Sequence, residues 1–140
     1  MTPWNAGKDV IDALLAAGSL DRVAASRGMA DELLLQAEAH LRSADTIADD
    51  DAEGGYALTY DAARKALSAV LENQGLRVRS EMGHHKTLYD AVRAQLDPPL
   101  GSRLRPFEAM RRLRRAAEYP RGGDRRCTLM TSGMLWPRPG

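Results

Sequence analysis

The sequence predicts an all-α fold, a bundle of four to five helices in up-down order. Three observations predict it. Alanine is abundant while isoleucine and valine are sparse, and aromatics are only 5% of the 140 residues, a balance that favours helix over strand. Apolar residues recur at spacings of three and four along several stretches. Glycine and proline fall between those stretches, where helices stop. No run of alternating apolar and polar residues marks a strand pair, and no internal repeat is present.

The first helix is expected from about Gly7 to Ala17, capped by Asn5 and stopped by Gly18, with Val10, Leu14 and Ala17 on one face. Ser19 to Arg27 reads as a connector or short helix closed by Gly28. A longer helix follows from about Ala30 to Ala48. Leu34, Ala37, Leu41, Ala44 and Ala48 form its apolar stripe, and Asp31 and Glu32 complement the dipole in its first turn. Residues 49–55, Asp-Asp-Asp-Ala-Glu-Gly-Gly, read as a solvated acidic turn. Three consecutive aspartates lack the alternating ligand spacing of a calcium loop.

The third helix is expected over about Tyr56 to Gln74, with Tyr56, Tyr60, Ala63, Leu67 and Val70 or Leu71 inward and Gly75 as its stop. A loop from Leu76 to Gly83 leads into a helix over about His84 to Leu96, with Leu88, Val92 and Leu96 inward. Asp97-Pro98-Pro99 ends it, because a residue before proline is pushed out of helical geometry. The last helix is expected from Pro106 to Glu118, burying Phe107, Met110, Leu113 and Ala117, with Pro120 beyond its end. The chain thus divides into an N-terminal helix and connector (1–28), a helical bundle (29–120) and a tail rich in Arg, Pro and Gly (121–140), expected to be mobile.

Hydrophobic residues make up 44% and charged residues 28%, a globular balance that fits one domain. No run approaches the roughly 18 apolar residues that span a bilayer. Asp9 and Asp12 argue against a signal peptide, and a lone Cys127 excludes an internal disulfide framework, so the expected location is cytoplasmic. The formal net charge of +1 hides an asymmetry. Residues 1–62 carry four Lys/Arg against twelve Asp/Glu, whereas residues 63–140 carry sixteen against seven. Either the two halves pair with each other, or the basic half meets a polyanion.

Chemistry concentrates in three stretches: residues 60–66 (Tyr-Asp-Ala-Ala-Arg-Lys-Ala), residues 83–85 (Gly-His-His) and residues 111–120 (Arg-Arg-Leu-Arg-Arg-Ala-Ala-Glu-Tyr-Pro). On a helix, Arg111, Arg115 and Tyr119 share a line, while Arg114 and Glu118 form an i, i+4 pair. Four arginines in five positions cannot all face a core. They either bind phosphate through their forked donors or offset the helix dipole and cover apolar surface with their stems. Tyr60 reads as a core aromatic with its hydroxyl at the rim, and Arg64 as the partner of an acidic neighbour. His40 reads as structural. No Cys/His spacing indicates zinc and no Gly-rich loop cradles phosphate, so neither metal nor cofactor is expected.

The order of these three stretches over roughly Leu33 to Pro120 resembles a bacterial branch of the HEPN superfamily (higher eukaryotes and prokaryotes nucleotide-binding). The resemblance implies a homodimer whose final helices pack together and form a cleft. It also implies a toxin–antitoxin or defence-type setting, with an antitoxin or nucleotidyltransferase as partner protein. Active members are metal-independent ribonucleases with an Arg, a polar residue and a His at fixed spacing. Carried over by position, these fall on Arg114, Arg115 and Tyr119. Tyrosine, with a reference pKa near 10, is a poor base beside histidine at about 6.5. The departure therefore favours RNA or nucleotide binding through Arg111, Arg114, Arg115 and Glu118, flanked by Tyr60 and Arg64, with little or no catalysis. One alternative is an active endoribonuclease using Arg114 with Tyr119, His84 or His85. Another is a structural helical dimer, or the substrate of a partner nucleotidyltransferase.

Overall fold

The computed structural model describes residues 5–79 and 84–118, with the side chains of His84 and of residues 114–118 outside that description. Five helices and two short strands follow one another: α1 (Lys8–Ala16), β1 (Leu20–Arg22), α2 (Arg27–Ile47), α3 (Ala52–Glu72), β2 (Leu76–Val78), α4 (His84–Leu96) and α5 (Gly101–Glu118). The fold is mostly helical, as the periodicity predicts. The expected tail, residues 121–140, lies outside the described residues.

The strands correct the expectation of a purely helical chain. β1 and β2 pair antiparallel, with Leu20 opposite Val78, Asp21 opposite Arg77 and Arg22 opposite Leu76. Three residues are too few for alternation to register in a sequence, yet Leu20 and Leu76 are both buried. The ribbon extends through Val23 N–H to the Gly75 carbonyl at 2.9 Å and Arg79 N–H to the Ser19 carbonyl at 3.1 Å. Gly75 makes the turn out of α3 at φ +80°, where a β-carbon would sit 2.7 Å from the Val23 carbonyl oxygen. The ribbon therefore ties the α1–α2 connection to the segment that leaves α3.

Helix starts differ from expectation for local reasons. Gly7, at φ +70°, precedes α1 in place of Asn5, whose backbone carbonyl accepts from Lys8 N–H instead. A β-carbon at Gly7 would lie 2.4 Å from the Ala94 carbonyl oxygen, so glycine lets α1 approach α4. The buried residue of α1 is Ile11, while Val10 is exposed. Helix α2 begins three residues early because the Ser26 hydroxyl caps it, accepting from Met29 N–H at 3.0 Å. Gly28 thus lies in the first turn, and Asp31 and Glu32 lie beyond it. Asp51 caps α3 in the same manner, accepting from Gly54 N–H at 2.9 Å, which draws both glycines of the acidic turn into the helix.

Helix α5 starts at Gly101 rather than Pro106. Burial of Leu104 and Phe107, three residues apart, carries the helix back through the proline. Pro106 deprives the Ser102 carbonyl of its helical donor, but both residues are exposed, so water can serve that oxygen.

The main core gathers Ile11, Leu20, Tyr60, Leu71, Leu76, Leu88, Tyr89, Val92, Leu104 and Phe107 from every element except α2. Among the described residues, helix α2 packs chiefly on α3, through a seam of small residues. Ala37, Ala44 and Ala48 meet the side of α3 that carries Gly55, Ala62 and Ala69. The expected Leu34 and Leu41 stripe is corrected here: these residues are 44% and 49% exposed. Small side chains let the two helix backbones approach so closely that a leucine has no room in the seam. A β-carbon at Gly55 would sit 3.3 Å from Ala48 Cα.

Candidate functional site

Helices α3, α4 and α5 converge on Tyr60, His85 and Arg111. Tyr60 is fully buried at mid-α3. Its ring stacks on Phe107 of α5 with centroids 5.3 Å apart and planes 13° apart, and Phe107 in turn faces Tyr89 of α4 at 6.1 Å. The Tyr60 hydroxyl reaches the Nδ1 atom of His85, in the first turn of α4, at 2.5 Å. Tyr56, one turn before Tyr60, donates its hydroxyl to the Met110 carbonyl. These contacts set α5 against α3 and fix the imidazole ring on a buried phenol.

Arg111 is held by Glu108 one turn earlier, its Nε donating to Oε2 at 3.0 Å and its Nη2 to Oε1 at 2.8 Å. Arg112, mostly exposed, shares the same carboxylate at 3.2 Å. The hydrogen bond from Arg111 pulls the Glu108 carboxyl below its ordinary range, against the opposing effect of burial, and Arg112 adds to it. The same bond raises Arg111, and Tyr60 and Asp90 lie close enough to push it further in that direction. Arg111 is therefore a positive group that shares one carboxylate with Arg112 and stands close enough to Tyr60 to feel its charge. Glu108 was legible in the sequence at i, i+3 and i, i+4 from the two arginines, a spacing the charge pattern alone could have flagged.

A second polar cluster joins α2 to α3. Asp61 accepts from Arg64 Nη2 at 2.7 Å and Nε at 3.0 Å, and lies 3.6 Å from Lys65 Nζ and 3.3 Å from His40 Nε2. Lys65 Nζ is also 2.8 Å from His40 Nε2. Burial raises the Asp61 carboxyl, but the Arg64 hydrogen bond and the charges of Arg64, Lys65 and His40 together bring it below its ordinary value. Arg64 thus pairs with an acidic neighbour, and it is not among the residues gathered around His85. His40 belongs to this seam.

The remaining sequence candidates divide by what is described. Arg114, Arg115 and Glu118 lie on the helical backbone of α5, with their side chains outside the described residues. His84 opens α4, its side chain likewise outside. Tyr119 lies outside the described residues altogether. Among the described residues, no group of three or more His, Cys, Asp or Glu side chains is placed to hold a metal ion, and no helix is long and apolar enough to cross a membrane.

No family model, curated protein or solved structure matches this chain.

Proposed function

We propose that the chain is a HEPN-like module that works as a homodimer in a toxin–antitoxin or defence-type system. In this reading it binds RNA or nucleotide through the arginine-bearing end of α5, with little or no catalysis. The observation that carries the choice of binding over cleavage is the bond between the Tyr60 hydroxyl and His85 Nδ1, beside the ring of Phe107 in α5.

The direction of that bond separates binding from cleavage. Metal-free RNA cleavage needs a base that takes the 2′-hydroxyl proton as the oxygen attacks phosphorus and the 5′-oxygen departs. His85 Nε2 serves as that base only when its lone pair is bare, with the ring proton on Nδ1 donated to Tyr60. A phenol, with a reference pKa near 10, is a far stronger acid than the N–H of neutral imidazole, so the favoured arrangement is O–H donating to Nδ1. The proton then sits on Nε2, and the ring lacks the bare nitrogen that a base requires. The α5 backbone is helical through Glu118, which sets Arg111 and Arg115 one turn apart on the same helix. Their guanidinium chemistry suits phosphate oxygens.

The test is fluorescence anisotropy with labelled single-stranded RNA at about 50 and 200 mM salt, where phosphate contacts weaken steeply with salt. Binding at low salt that falls with added salt, and that weakens several-fold in Arg114→Ala, supports the reading. Absence of any binding at low salt overturns it. RNA products that accumulate with a chelator present and vanish in His85→Asn would replace it with the nuclease reading.

A further inference from the structure

Toward the C-terminal half of α3, a cleft of about 380 Å³ opens where α2 stands away from β2 and α4. That volume falls within the range of small-molecule sites. Its floor is apolar: Leu71 and Leu88 are almost completely buried, and Leu33 and Val78 border them. Met29, 45% exposed, lies at the edge, and an unbranched thioether adapts easily to an occupant's shape. Arg64 and Arg77 line the same cleft.

Among the described residues, the two arginines of this cleft are each paired with a carboxylate and keep donors to spare. Glu72 is matched by Arg77, which grips it through Nε at 2.7 Å and Nη2 at 3.2 Å. Asp61, just beside the cleft, is the carboxylate shared by Arg64, Lys65 and His40. Among the described residues, Asp61 thus serves two permanent cations, Arg64 and Lys65, while Glu72 serves Arg77. Each arginine uses its Nε and Nη2 atoms in these pairs, and its Nη1 atom makes no hydrogen bond among the described residues. An apolar floor with surplus guanidinium donors above it is complementary to a molecule with a compact apolar body and one negative group.

We infer that this cleft is a binding site for an amphipathic monoanion, an aryl or aliphatic carboxylate or sulfonate, whose apolar body rests on Leu71 and Leu88 and whose anionic group meets Arg64 and Arg77. The site uses different residues from the Tyr60–His85–Arg111 cluster and stands independently of the RNA-binding proposal.

The test uses 1-anilinonaphthalene-8-sulfonate as the probe and its sulfonate-free analogue N-phenyl-1-naphthylamine as the neutral control, read by fluorescence and by amide NMR shifts. The expected result is one site per chain, with shifts centred on Ser68, Leu71, Val78 and Leu88. Arg64→Met should weaken the anionic probe about tenfold, the size of one charged hydrogen bond, and leave the neutral analogue unchanged. Filling the cleft with Ser68→Trp, or with Leu33→Trp should the first variant misfold, should abolish binding of both. The triple variant Leu34→Ser, Leu35→Ser, Leu41→Ser removes exposed leucines of α2 outside the cleft and should change nothing. No saturable binding, binding that survives both filling variants in folded protein, or binding lost in the triple variant would each overturn the assignment.

Discussion

The two sides of α3 bury surface in opposite ways. Toward α2 it presents glycine and alanine, and the helices meet backbone to backbone along Ala37, Ala44, Ala48 and Gly55. Toward α4 and α5 it presents Tyr56, Tyr60 and Leu71, and large rings and branched chains fill the space. A close seam tolerates no added volume, while an aromatic core tolerates no loss of it. Polar side chains meet both sides: Tyr60–His85 and Arg111–Glu108 on the aromatic side, and Asp61 with His40 and Lys65 beside the close seam.

The largest expected effect tests the aromatic side. Phe107→Ala removes the ring that stacks on Tyr60 and faces Tyr89, and should cost about 3–5 kcal/mol in urea unfolding followed by circular dichroism. A loss under about 1 kcal/mol would mean that α5 is not anchored there. Next is the seam: Ala44, fully buried, has no room for Leu, so Ala44→Leu should destabilise by about 1–3 kcal/mol although it adds apolar surface. A neutral or stabilising result would show that α2 can move off α3.

A smaller effect is pH-dependent. The folded Glu108 carboxyl titrates below its ordinary value, so its pair with Arg111 stabilises above that value and is lost as pH falls through the lowered one. Between pH 6 and 3 the wild type should lose about 0.5–1 kcal/mol more than Glu108→Gln, read from paired unfolding curves. Equal losses would remove the pair from the account. The smallest effect falls on the exposed leucines: Leu34→Ser and Leu41→Ser should each change stability by no more than about 0.5 kcal/mol.

Those leucines also mark where the sequence misleads. Periodicity located α3 and α4 well, because Tyr60, Leu71, Leu88 and Val92 are large, regularly spaced and buried. On α2 the same spacing rule selects Leu34 and Leu41 by hydrophobicity, whereas the geometry of a close seam selects the alanines between them. The ribbon of β1 and β2 is legible only through its partner, since its pairing spans more than fifty residues of sequence. Around the candidate site, Arg64 finds an acidic neighbour three residues away, a local relation that sequence spacing carries. The meeting of Tyr60 with His85 across twenty-five positions depends on how α4 returns against α3, which no local pattern encodes.

The account rests most heavily on which atom carries the proton in that meeting. Long-range proton–nitrogen NMR on uniformly labelled protein, at a pH where His85 is neutral, reads it directly. The prediction is a protonated Nε2 with Nδ1 accepting from Tyr60, a pattern that shifts in Tyr60→Phe. A protonated Nδ1 with a bare Nε2 in the folded wild type would contradict it and hand the imidazole the role of a base.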